Sequence, residues 1–412
     1  MNIYKREKYL RRLRGFFHDT EMIKVITGVR RCGKSCLMAS IADELRETGI
    51  PDAQILFLDL DSKKYRKIKT PDQLDALIEE VGAGAGNGTI YVFIDEVQNV
   101  KGFEEVINAY RTDGGYSIFI TGSNSYLLSG ELSTKLTGRY IELEMYPLSF
   151  DEYLGMKDFM GKPIQNNLTA EFDSYILEGG FPKALQYDSM ENKRTYTHSV
   201  IAEIFEKDIR QRVKVRNKAV FESVQTYLLN NFGATTSLNN ILKGLEKQGV
   251  HIKRETLNRY IKILQDAKIL YRCNRFDLKS RRSLAGEQKY YLADCAFYFA
   301  MNTDNRINYG PVLENIVYTY ARSQNYAVSI GRIGKLECDF ILRDEQMQYA
   351  YVQVAMTIMN SLETEEREYR PLEQIADNYP KFVMTRSDMI QKRNGIRHVN
   401  LPEFIQAQGR FT

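Results

Sequence analysis

Residues 28–35, which read Gly-Val-Arg-Arg-Cys-Gly-Lys-Ser, constrain the fold of this chain more than any other segment. The apolar, β-branched run of residues 23–27 precedes them and predicts a buried strand, and residues 36–45 are apolar at helical spacing. A glycine-rich turn between a strand and a helix lets backbone N–H groups surround an anion, while the lysine reaches phosphate and the serine hydroxyl reaches Mg²⁺. The sequence therefore predicts binding of ATP and Mg²⁺ by Gly28, Val29, Arg30, Arg31, Cys32, Gly33, Lys34, Ser35 and Cys36.

An acidic pair follows a second apolar run at residues 89–94, which predicts another buried strand. Asp95 is expected to hold Mg²⁺ through water, together with Ser35, and Glu96 to polarise the water that attacks the γ-phosphate. Two adjacent carboxylates also suit the start of a helix, whose N-terminus attracts acids. The strand before them and the phosphate loop upstream favour the catalytic interpretation, in which Lys34, Asp95 and Glu96 hydrolyse ATP.

A third strand is predicted at residues 116–121, and a polar turn follows it. Either Ser123 or Asn124 would lie between the phosphates and the acidic strand and contact the γ-phosphate. Glycine, serine and asparagine are also good turn residues, so the same segment is consistent with an ordinary turn. Together with the run of residues 54–59, these strands predict a parallel sheet with helices on both faces.

Residues 120–154 resemble the corresponding region of a prokaryotic branch of AAA-type ATPases, in which a Gly-Arg pair and a Pro-Leu-Ser-Phe segment follow the third strand. The resemblance extends along the chain to residues 178–182, which read Glu-Gly-Gly-Phe-Pro, and to the C-terminal region. It implies an α/β fold with a P-loop AAA-type core and a helical lid. It also implies that Arg139 is an arginine finger, acting within the chain or across the interface of a homo-oligomer. An arginine at this place is equally typical of a surface or salt-bridged position.

Residues 219–293 differ in character and predict a winged helix. Ser237 begins an amphipathic helix, residues 253–264 predict a second helix after a short turn, and two strand-like runs form a hairpin with a basic tip. The exposed side of the second helix is also basic, which suits contact with a DNA backbone, although winged helices also serve as packing modules. The residues expected to contact DNA are Arg254, Arg259, Lys262, Lys279, Arg281 and Arg282.

From residue 294 the chain returns to an α/β pattern that resembles the restriction-endonuclease-like fold. A helix carries Glu314, a strand carries Glu337 and Asp339 on one face, and the next strand presents Gln353 and Ala355. By the resemblance, a second carboxylate and a lysine would stand at the last two positions. Glutamine can still coordinate a metal through its carbonyl, but without the lysine the positive charge that helps to activate water is lost. We therefore predict a degenerate nuclease-like domain that holds Mg²⁺ weakly at most and leaves DNA uncut.

Length and composition are consistent with several domains. The 412 residues are predicted to form an ATPase core (1–151), a helical lid (152–218), a winged helix (219–293) and the nuclease-like domain (294–412). The basic N-terminal segment, residues 5–14, predicts a solvated amphipathic helix that packs on the core. The net charge of +4 is too small to indicate nucleic-acid binding by itself.

The sequence gives no indication of export or of a membrane span. No apolar run approaches the ~20 residues that cross a bilayer, and no apolar segment of a signal peptide follows the basic start. The five cysteines include no C-x-x-C pair, which favours reduced thiols in a cytoplasmic protein.

We therefore expect a cytoplasmic ATPase that couples its nucleotide state to DNA binding. Two alternatives remain open: a nucleotide-switched regulator of protein interactions and an ATP-regulated DNA nuclease. A salt titration of duplex binding distinguishes the DNA-binding ATPase from the regulator of protein interactions. Contacts with DNA phosphates release counterions, so DNA binding should weaken steeply as ionic strength rises.

Overall fold

The computed structural model describes residues 3–84, 86, 88–122, 136, 138–210, 215, 217–280, 282–301, 308–359 and 361–412, and only the backbone of residues 282–285. It divides into two units, Met1–Met145 and Tyr146–Thr412. Within the described residues, no helix combines the length and the apolar character that crossing a bilayer requires.

The first unit is built around a five-stranded parallel sheet in the order β2-β3-β4-β1-β5. Its strands are β1 (Ile23–Gly28), β2 (Ile55–Asp59), β3 (Ile90–Asp95), β4 (Tyr116–Gly122) and β5 (Tyr140–Met145). Its helices are α1 (Glu7–Leu13), α2 (Lys34–Glu47), α3 (Pro71–Gly84) and α4 (Phe103–Asp113). The predicted parallel sheet is confirmed.

Every residue of β1 and β3 is buried, as expected for parallel strands that helices cover on both faces. Val25, Val92 and Ile120, from three neighbouring strands, share one apolar core with Ile78 of α3 and Ile107 of α4. Because the strands are parallel, the carboxyl ends of β1, β3 and β4 meet at one edge of the sheet. The predicted phosphate loop and the acidic pair follow two of these strands, so the fold brings them to the same edge.

The second unit contains one eight-stranded sheet in the order β12-β13-β11-β10-β9-β8-β6-β7. Its strands are β6 (Leu270–Asp277), β7 (Arg282–Leu292), β8 (Ala327–Ile333), β9 (Leu336–Arg343), β10 (Tyr349–Ala355), β11 (Lys381–Thr385), β12 (Lys392–Arg393) and β13 (Ile396–Asn400). Its helices are α5 (Phe150–Phe159), α6 (Leu168–Glu178), α7 (Met190–Glu203), α8 (Lys218–Asn230), α9 (Leu238–Lys247), α10 (Arg254–Asp266), α11 (Ala296–Met301), α12 (Tyr309–Ser323), α13 (Leu362–Glu373) and α14 (Leu401–Gln406).

The strand hairpin predicted for the winged helix is part of this sheet. β6 pairs with β7 in an antiparallel ladder and with β8 in a parallel one, from Arg275 to Asp277. The boundary predicted between residues 293 and 294 therefore runs through a continuous sheet and does not separate two compact units. Helices α8, α9 and α10 precede the hairpin, and Thr236, between α8 and α9, forms an isolated bridge with Gln288 of β7.

The Glu-Gly-Gly-Phe-Pro segment lies in a buried joint of the second unit. Gly179 has φ +74°, and a Cβ built on it would lie 2.2 Å from Oδ1 of Asp294. A Cβ on Gly180 would lie 2.2 Å from the carbonyl oxygen of Leu148, whose N–H donates to the Gly180 carbonyl at 2.7 Å. The Gly180 N–H donates to Oδ2 of Asp294 at 2.7 Å, and burial raises the pKa of Asp294 to about 6. The two glycines thus allow three chain segments to meet.

Candidate functional site

The loop between β1 and α2 has backbone conformations that require glycine. Gly28 has φ +145°, and a Cβ on it would lie 2.3 Å from the carbonyl oxygen of Met145 on the neighbouring strand β5. Gly33, the residue before α2, has φ +108°. Side chains rarely tolerate such φ values, so the two glycines let the backbone curl at the start of the helix. This is the curled geometry in which backbone N–H groups can surround a phosphate.

Lys34, the first residue of α2, is buried, with 4% of its surface exposed. Its ammonium donates to the carbonyl oxygens of Gly28 at 3.0 Å and Val29 at 3.2 Å. Carbonyl groups satisfy hydrogen-bond donors without neutralising charge. The loop therefore keeps a positive charge for an anionic ligand.

The acidic pair at the end of β3 is braced by the adjacent strand β4. The Thr121 hydroxyl donates to Oδ1 of Asp95, and the Glu96 N–H donates to Thr121 Oγ1 at 3.0 Å. Sequence reasoning missed Thr121, although a hydroxyl residue near the carboxyl end of a predicted strand was the available signal. Its two hydrogen bonds fix both the Asp95 carboxylate and the backbone of Glu96.

The acidic pair lies close to the phosphate loop in space. The guanidinium of Arg30 is 3.6 Å from Oε2 of Glu96, measured from Nη2. Burial, and next the charge of Asp95, raises the pKa of the Cys36 thiol in the first turn of α2. The Ser35 hydroxyl and the Asp95 carboxylate offer the oxygen ligands that Mg²⁺ prefers, so the two residues predicted to hold the metal fit that role.

The N-terminal segment differs from the predicted solvated helix at one residue. Arg6 is buried, with 5% of its surface exposed, and its Nη1 donates to the carbonyl oxygen of Cys32 at 3.0 Å. Its guanidinium also lies 4.6 Å from the ring centroid of Tyr9. Arg6 thus braces the phosphate loop from behind. Its position in a basic, apparently surface-exposed run concealed this contact.

Arg139 lies at the edge of the sheet opposite the phosphate loop. Its carbonyl accepts the N–H of Ile23, the first residue of β1, and the loop begins at the last residue, Gly28. Five residue steps along a strand span about 16 Å, farther than an arginine side chain reaches. Arg139 is exposed, and its Nη1 donates to Oδ1 of Asn108 at 3.3 Å. The alternative of a finger acting within the chain is therefore wrong, and action across a subunit interface stays a prediction.

Some predicted residues fall outside the described part of the chain. Ser123 and Asn124, the two γ-phosphate candidates, lie there, and so does Arg281. Arg282 begins β7, with only its backbone described. The other predicted DNA contacts, Arg254, Arg259, Lys262 and Lys279, are all exposed.

In the second unit, three of the four predicted nuclease-like residues surround one ammonium group. Lys289 of β7, with 6% of its side chain exposed, places Nζ 2.9 Å from Glu314, 3.1 Å from Glu337 and 3.8 Å from Asp339. Burial alone would lower the pKa of Lys289, but the three carboxylates raise it above its ordinary value. The Tyr291 hydroxyl also donates to Glu314, at 2.8 Å.

Gln353 belongs to the other side of this cluster. Its Oε1 accepts the N–H of Asp339 at 3.2 Å, and its Nε2 donates to the buried Glu368 of α13 at 2.9 Å. Asp339 also accepts the N–H of Val354 at 2.8 Å. Burial, and next the charge of Glu314, raise the pKa of Asp339 well above its ordinary value.

The prediction that this cluster lacks a lysine is therefore wrong. Position 355 is alanine, but Lys289 reaches the carboxylates from a strand that the sequence assigned to the wing. Lys289 and Glu368 were both missed, because no spacing rule links them to Glu314 or Asp339. Within the described residues, no group of three or more histidine, cysteine, aspartate or glutamate side chains is arranged to hold a metal ion.

Comparison with known proteins finds relatives along most of the chain. Residues 20–154 match the family model described as an AAA domain, and residues 169–307 match a domain of unknown function (DUF8612). An uncharacterized protein of Haemophilus influenzae is 35% identical over 382 residues, which are 92% of this chain and 92% of that protein. An uncharacterized protein of Methanocaldococcus jannaschii is 29% identical over 309 residues, 74% of this chain and 67% of that protein.

One similar solved structure is a Walker-type ATPase of Pyrococcus abyssi. The match has a TM-score of 0.47 and 16% identity, and it covers 73% of this chain and 96% of that chain. At this similarity it carries no argument about function.

Proposed function

We propose that this chain, which belongs to the same family as the uncharacterized Haemophilus influenzae protein and matches an AAA domain over residues 20–154, binds and hydrolyses ATP and couples its nucleotide state to DNA binding. The observation that carries the first part is the pairing of two features at one sheet edge. Lys34 keeps its positive charge in a curled glycine loop, and Asp95 and Glu96 are fixed beside that loop by Thr121.

In this proposal each side chain has a distinct role. Lys34 binds the β- and γ-phosphates, and the backbone N–H groups of the loop orient them. Ser35 and Asp95 hold Mg²⁺, which, when bound, neutralises phosphate charge as it develops. Glu96 accepts a hydrogen bond from the attacking water and aligns this water with the γ-phosphate. Thr121 holds the backbone of Glu96 in place through the hydrogen bond from the Glu96 N–H.

The second unit supplies the proposed DNA contact. Arg254, Arg259 and Lys262 all project from α10 to solvent, and Lys279 is exposed in the turn between β6 and β7. The bridge between Thr236 and Gln288 ties the segment before α9 to the hairpin, which supports the interpretation as a winged helix. Four exposed cations, three on α10 and one in the turn of the hairpin, suit a phosphate backbone.

The proposal for DNA binding is tested by salt dependence. We expect duplex affinity to fall steeply between about 50 and 200 mM salt, and the double variant Arg259→Glu, Lys262→Glu to weaken binding and reduce the salt slope by about 2. The double variant Arg343→Glu, Lys392→Glu, at two exposed positions on β9 and β12, is the matched control for the change of charge. A duplex affinity that changes neither with salt concentration nor in the α10 double variant would favour the alternative of a regulator of protein interactions.

The proposal for hydrolysis is tested by phosphate release with and without duplex DNA. We expect release that requires Mg²⁺, that Glu96→Gln abolishes, and that DNA changes at saturating ATP. Release at the wild-type rate from Glu96→Gln would remove Glu96 from its assigned role. If DNA leaves the rate and the nucleotide affinity unchanged, the coupling is contradicted while hydrolysis stands.

A further inference from the structure

Glu96 adopts a backbone conformation that side-chain-bearing residues rarely take. Its φ is +55°, in the left-handed region. The hydrogen bond from its N–H to Thr121 Oγ1, at 3.0 Å, holds it there. Such conformations persist where the surrounding structure enforces them and cluster at functional sites. With its backbone fixed, the placement of its carboxylate depends on what that carboxylate binds.

Two side chains engage the same oxygen of Glu96. Gln98 Nε2 donates to Oε2, and Arg30 Nη2 lies 3.6 Å from it. The side chains of Glu96 and Arg30 are only 12% and 9% exposed. A carboxylate this deeply buried requires such partners, because an unpaired charge in a low-dielectric environment is costly. The other terminal nitrogen of Arg30, Nη1, is 3.9 Å from Oδ2 of Asp61, which is more exposed.

Arg30 belongs to the phosphate loop, so it has two competing acceptors. A guanidinium can bind a phosphate through two parallel hydrogen bonds, as it can bind a carboxylate. The γ-phosphate carries more negative charge than one carboxylate. While Arg30 is paired with Glu96, its guanidinium compensates the negative charge of the carboxylate that would attract a proton. A carboxylate in that state polarises water poorly.

We propose that Arg30 exchanges between Glu96 and the γ-phosphate of ATP, so that ATP, but not ADP, releases Glu96 to act on water. The inference rests on the proposed ATP hydrolysis and assigns this arginine the task of coupling nucleotide identity to the state of the glutamate. Hydrolysis removes the γ-phosphate from the nucleotide, and Arg30 then returns to Glu96.

Gln98 is the positioning residue in this exchange. Its Nε2 stays on Glu96 when Arg30 leaves, so the carboxylate does not swing away. Its Oε1 is buried and makes no hydrogen bond with the described residues. This oxygen can accept a hydrogen from the same water that Glu96 polarises. We expect Gln98→Leu to lower turnover at saturating ATP while leaving ATP affinity unchanged, and Gln98→Glu, which removes the donor, to fail to restore it.

The exchange is tested by a double-mutant cycle on nucleotide affinity. We expect Arg30→Met to weaken ATP binding about three- to tenfold and to leave ADP binding unchanged, because only ATP presents the γ-phosphate. Glu96→Gln should tighten ATP binding by a similar factor, because Arg30 no longer has to leave a charged partner. In the double variant Arg30→Met, Glu96→Gln, this gain should disappear, so the two changes are not additive.

The controls separate a structural effect from the exchange. Arg66→Met removes an exposed cation from the same unit and should change neither affinity. If Arg30→Met does not fold, Arg30→Lys replaces it in the experiment. Lysine keeps the positive charge but cannot form two parallel hydrogen bonds, so this variant should have an ATP affinity between those of the wild type and Arg30→Met. Equal losses of ATP and ADP binding in Arg30→Met would overturn the inference, since they indicate contact with the inner phosphates only.

Additive effects of the two substitutions on ATP affinity would overturn the inference as well, and would leave the proposed function standing. If instead the wild-type protein binds no ATP, or binds it equally well after Lys34→Met, the proposed function fails and the exchange fails with it. The two failures are therefore distinguishable in one set of binding measurements.

Discussion

Two buried lysines, Lys34 in the first unit and Lys289 in the second, have opposite surroundings. The ammonium of Lys34 donates to two carbonyl oxygens, which carry no net charge. The ammonium of Lys289 lies within 4 Å of three carboxylates, on Glu314, Glu337 and Asp339. The positive charge of Lys34 is therefore available to a ligand, whereas the positive charge of Lys289 is already paired with carboxylates of the protein.

The difference shows that residue types alone do not define a site. Both places combine a lysine with acidic side chains next to a sheet, which is the composition of a phosphate or metal site. In the second unit the ammonium occupies the position where a cation would be attracted, so Mg²⁺ must compete with a covalently attached charge. We expect Lys289 to stabilise the fold of the second unit, and Lys34 to bind ligand.

The largest expected effect is on stability, in Lys289→Met. This change leaves buried carboxylates without their shared cation and should lower the free energy of unfolding by about 3 kcal/mol at neutral pH. The loss should shrink as the pH falls, because burial and next the charge of Glu314 raise the pKa of Asp339, and protonation of this carboxylate relieves the repulsion. Chemical denaturation at two pH values measures this, with Lys335→Met at an exposed position as control. Unchanged stability would contradict the role given to Lys289.

Lys34→Met tests the other half of the comparison. ATP affinity should fall at least about 100-fold, close to 3 kcal/mol, because the charge that faces the β- and γ-phosphates is lost. The free energy of unfolding without nucleotide should change by less than about 1 kcal/mol, because the lost hydrogen bonds are to neutral carbonyls. Calorimetric titration and denaturation measure the two quantities. A large loss of stability with retained ATP binding would reverse the assignment of the two lysines.

Arg139→Ala addresses the sheet edge opposite the loop. If Arg139 acts across a subunit interface, turnover should fall at least about tenfold with ATP affinity retained, because the contact is made in the transition state. Mixing this variant with Lys34→Met should then restore part of the activity through mixed interfaces. Loss of affinity in proportion to rate, with no rescue on mixing, would identify Arg139 as a structural residue that holds Asn108.

A third buried lysine gives the smallest effect. Burial, only partly offset by Asp19, lowers the pKa of Lys24 in β1 to about 7. Between pH 7 and the ordinary lysine pKa, the unfolded chain binds one more proton at this residue, so stability rises with pH. From pH 7.5 to 8.5 the gain should be about 1 kcal/mol, and Lys24→Met should remove it. An identical pH dependence in both proteins would show that Lys24 stays protonated in the folded state.

The sequence predicted those parts of the site whose functional residues are adjacent along the chain. The phosphate loop, its strand and its helix are consecutive, and the acidic pair directly follows its own strand, so local patterns suffice. Thr121 was not predicted because sheet pairing brings it to the acidic pair, and Arg6 was not predicted because the packing of the N-terminal segment brings it to the phosphate loop. Lys289 and Glu368 escaped for the same reason, since the cluster forms only when β7, β9 and α13 are assembled.

The fold shows the same limit at the level of domains. Strand and helix positions follow from local periodicity, and the parallel sheet of the first unit was predicted correctly. The continuity of the second sheet was not, because the parallel pairing of β6 with β8 joins segments about 50 residues apart that no pattern connects. Dividing the chain at a change of local character therefore separated strands that belong to one sheet.

One reaction tests the central claim that the first unit carries the chemistry and the second does not. The protein is incubated with ATP, Mg²⁺ and end-labelled duplex DNA, and phosphate release and DNA length are followed together in the wild type, Glu96→Gln and Asp339→Ala. We predict phosphate release in the wild type and in Asp339→Ala but not in Glu96→Gln, and full-length DNA in all three. DNA shortening in the wild type that disappears in Asp339→Ala, or phosphate release that persists in Glu96→Gln, would contradict it.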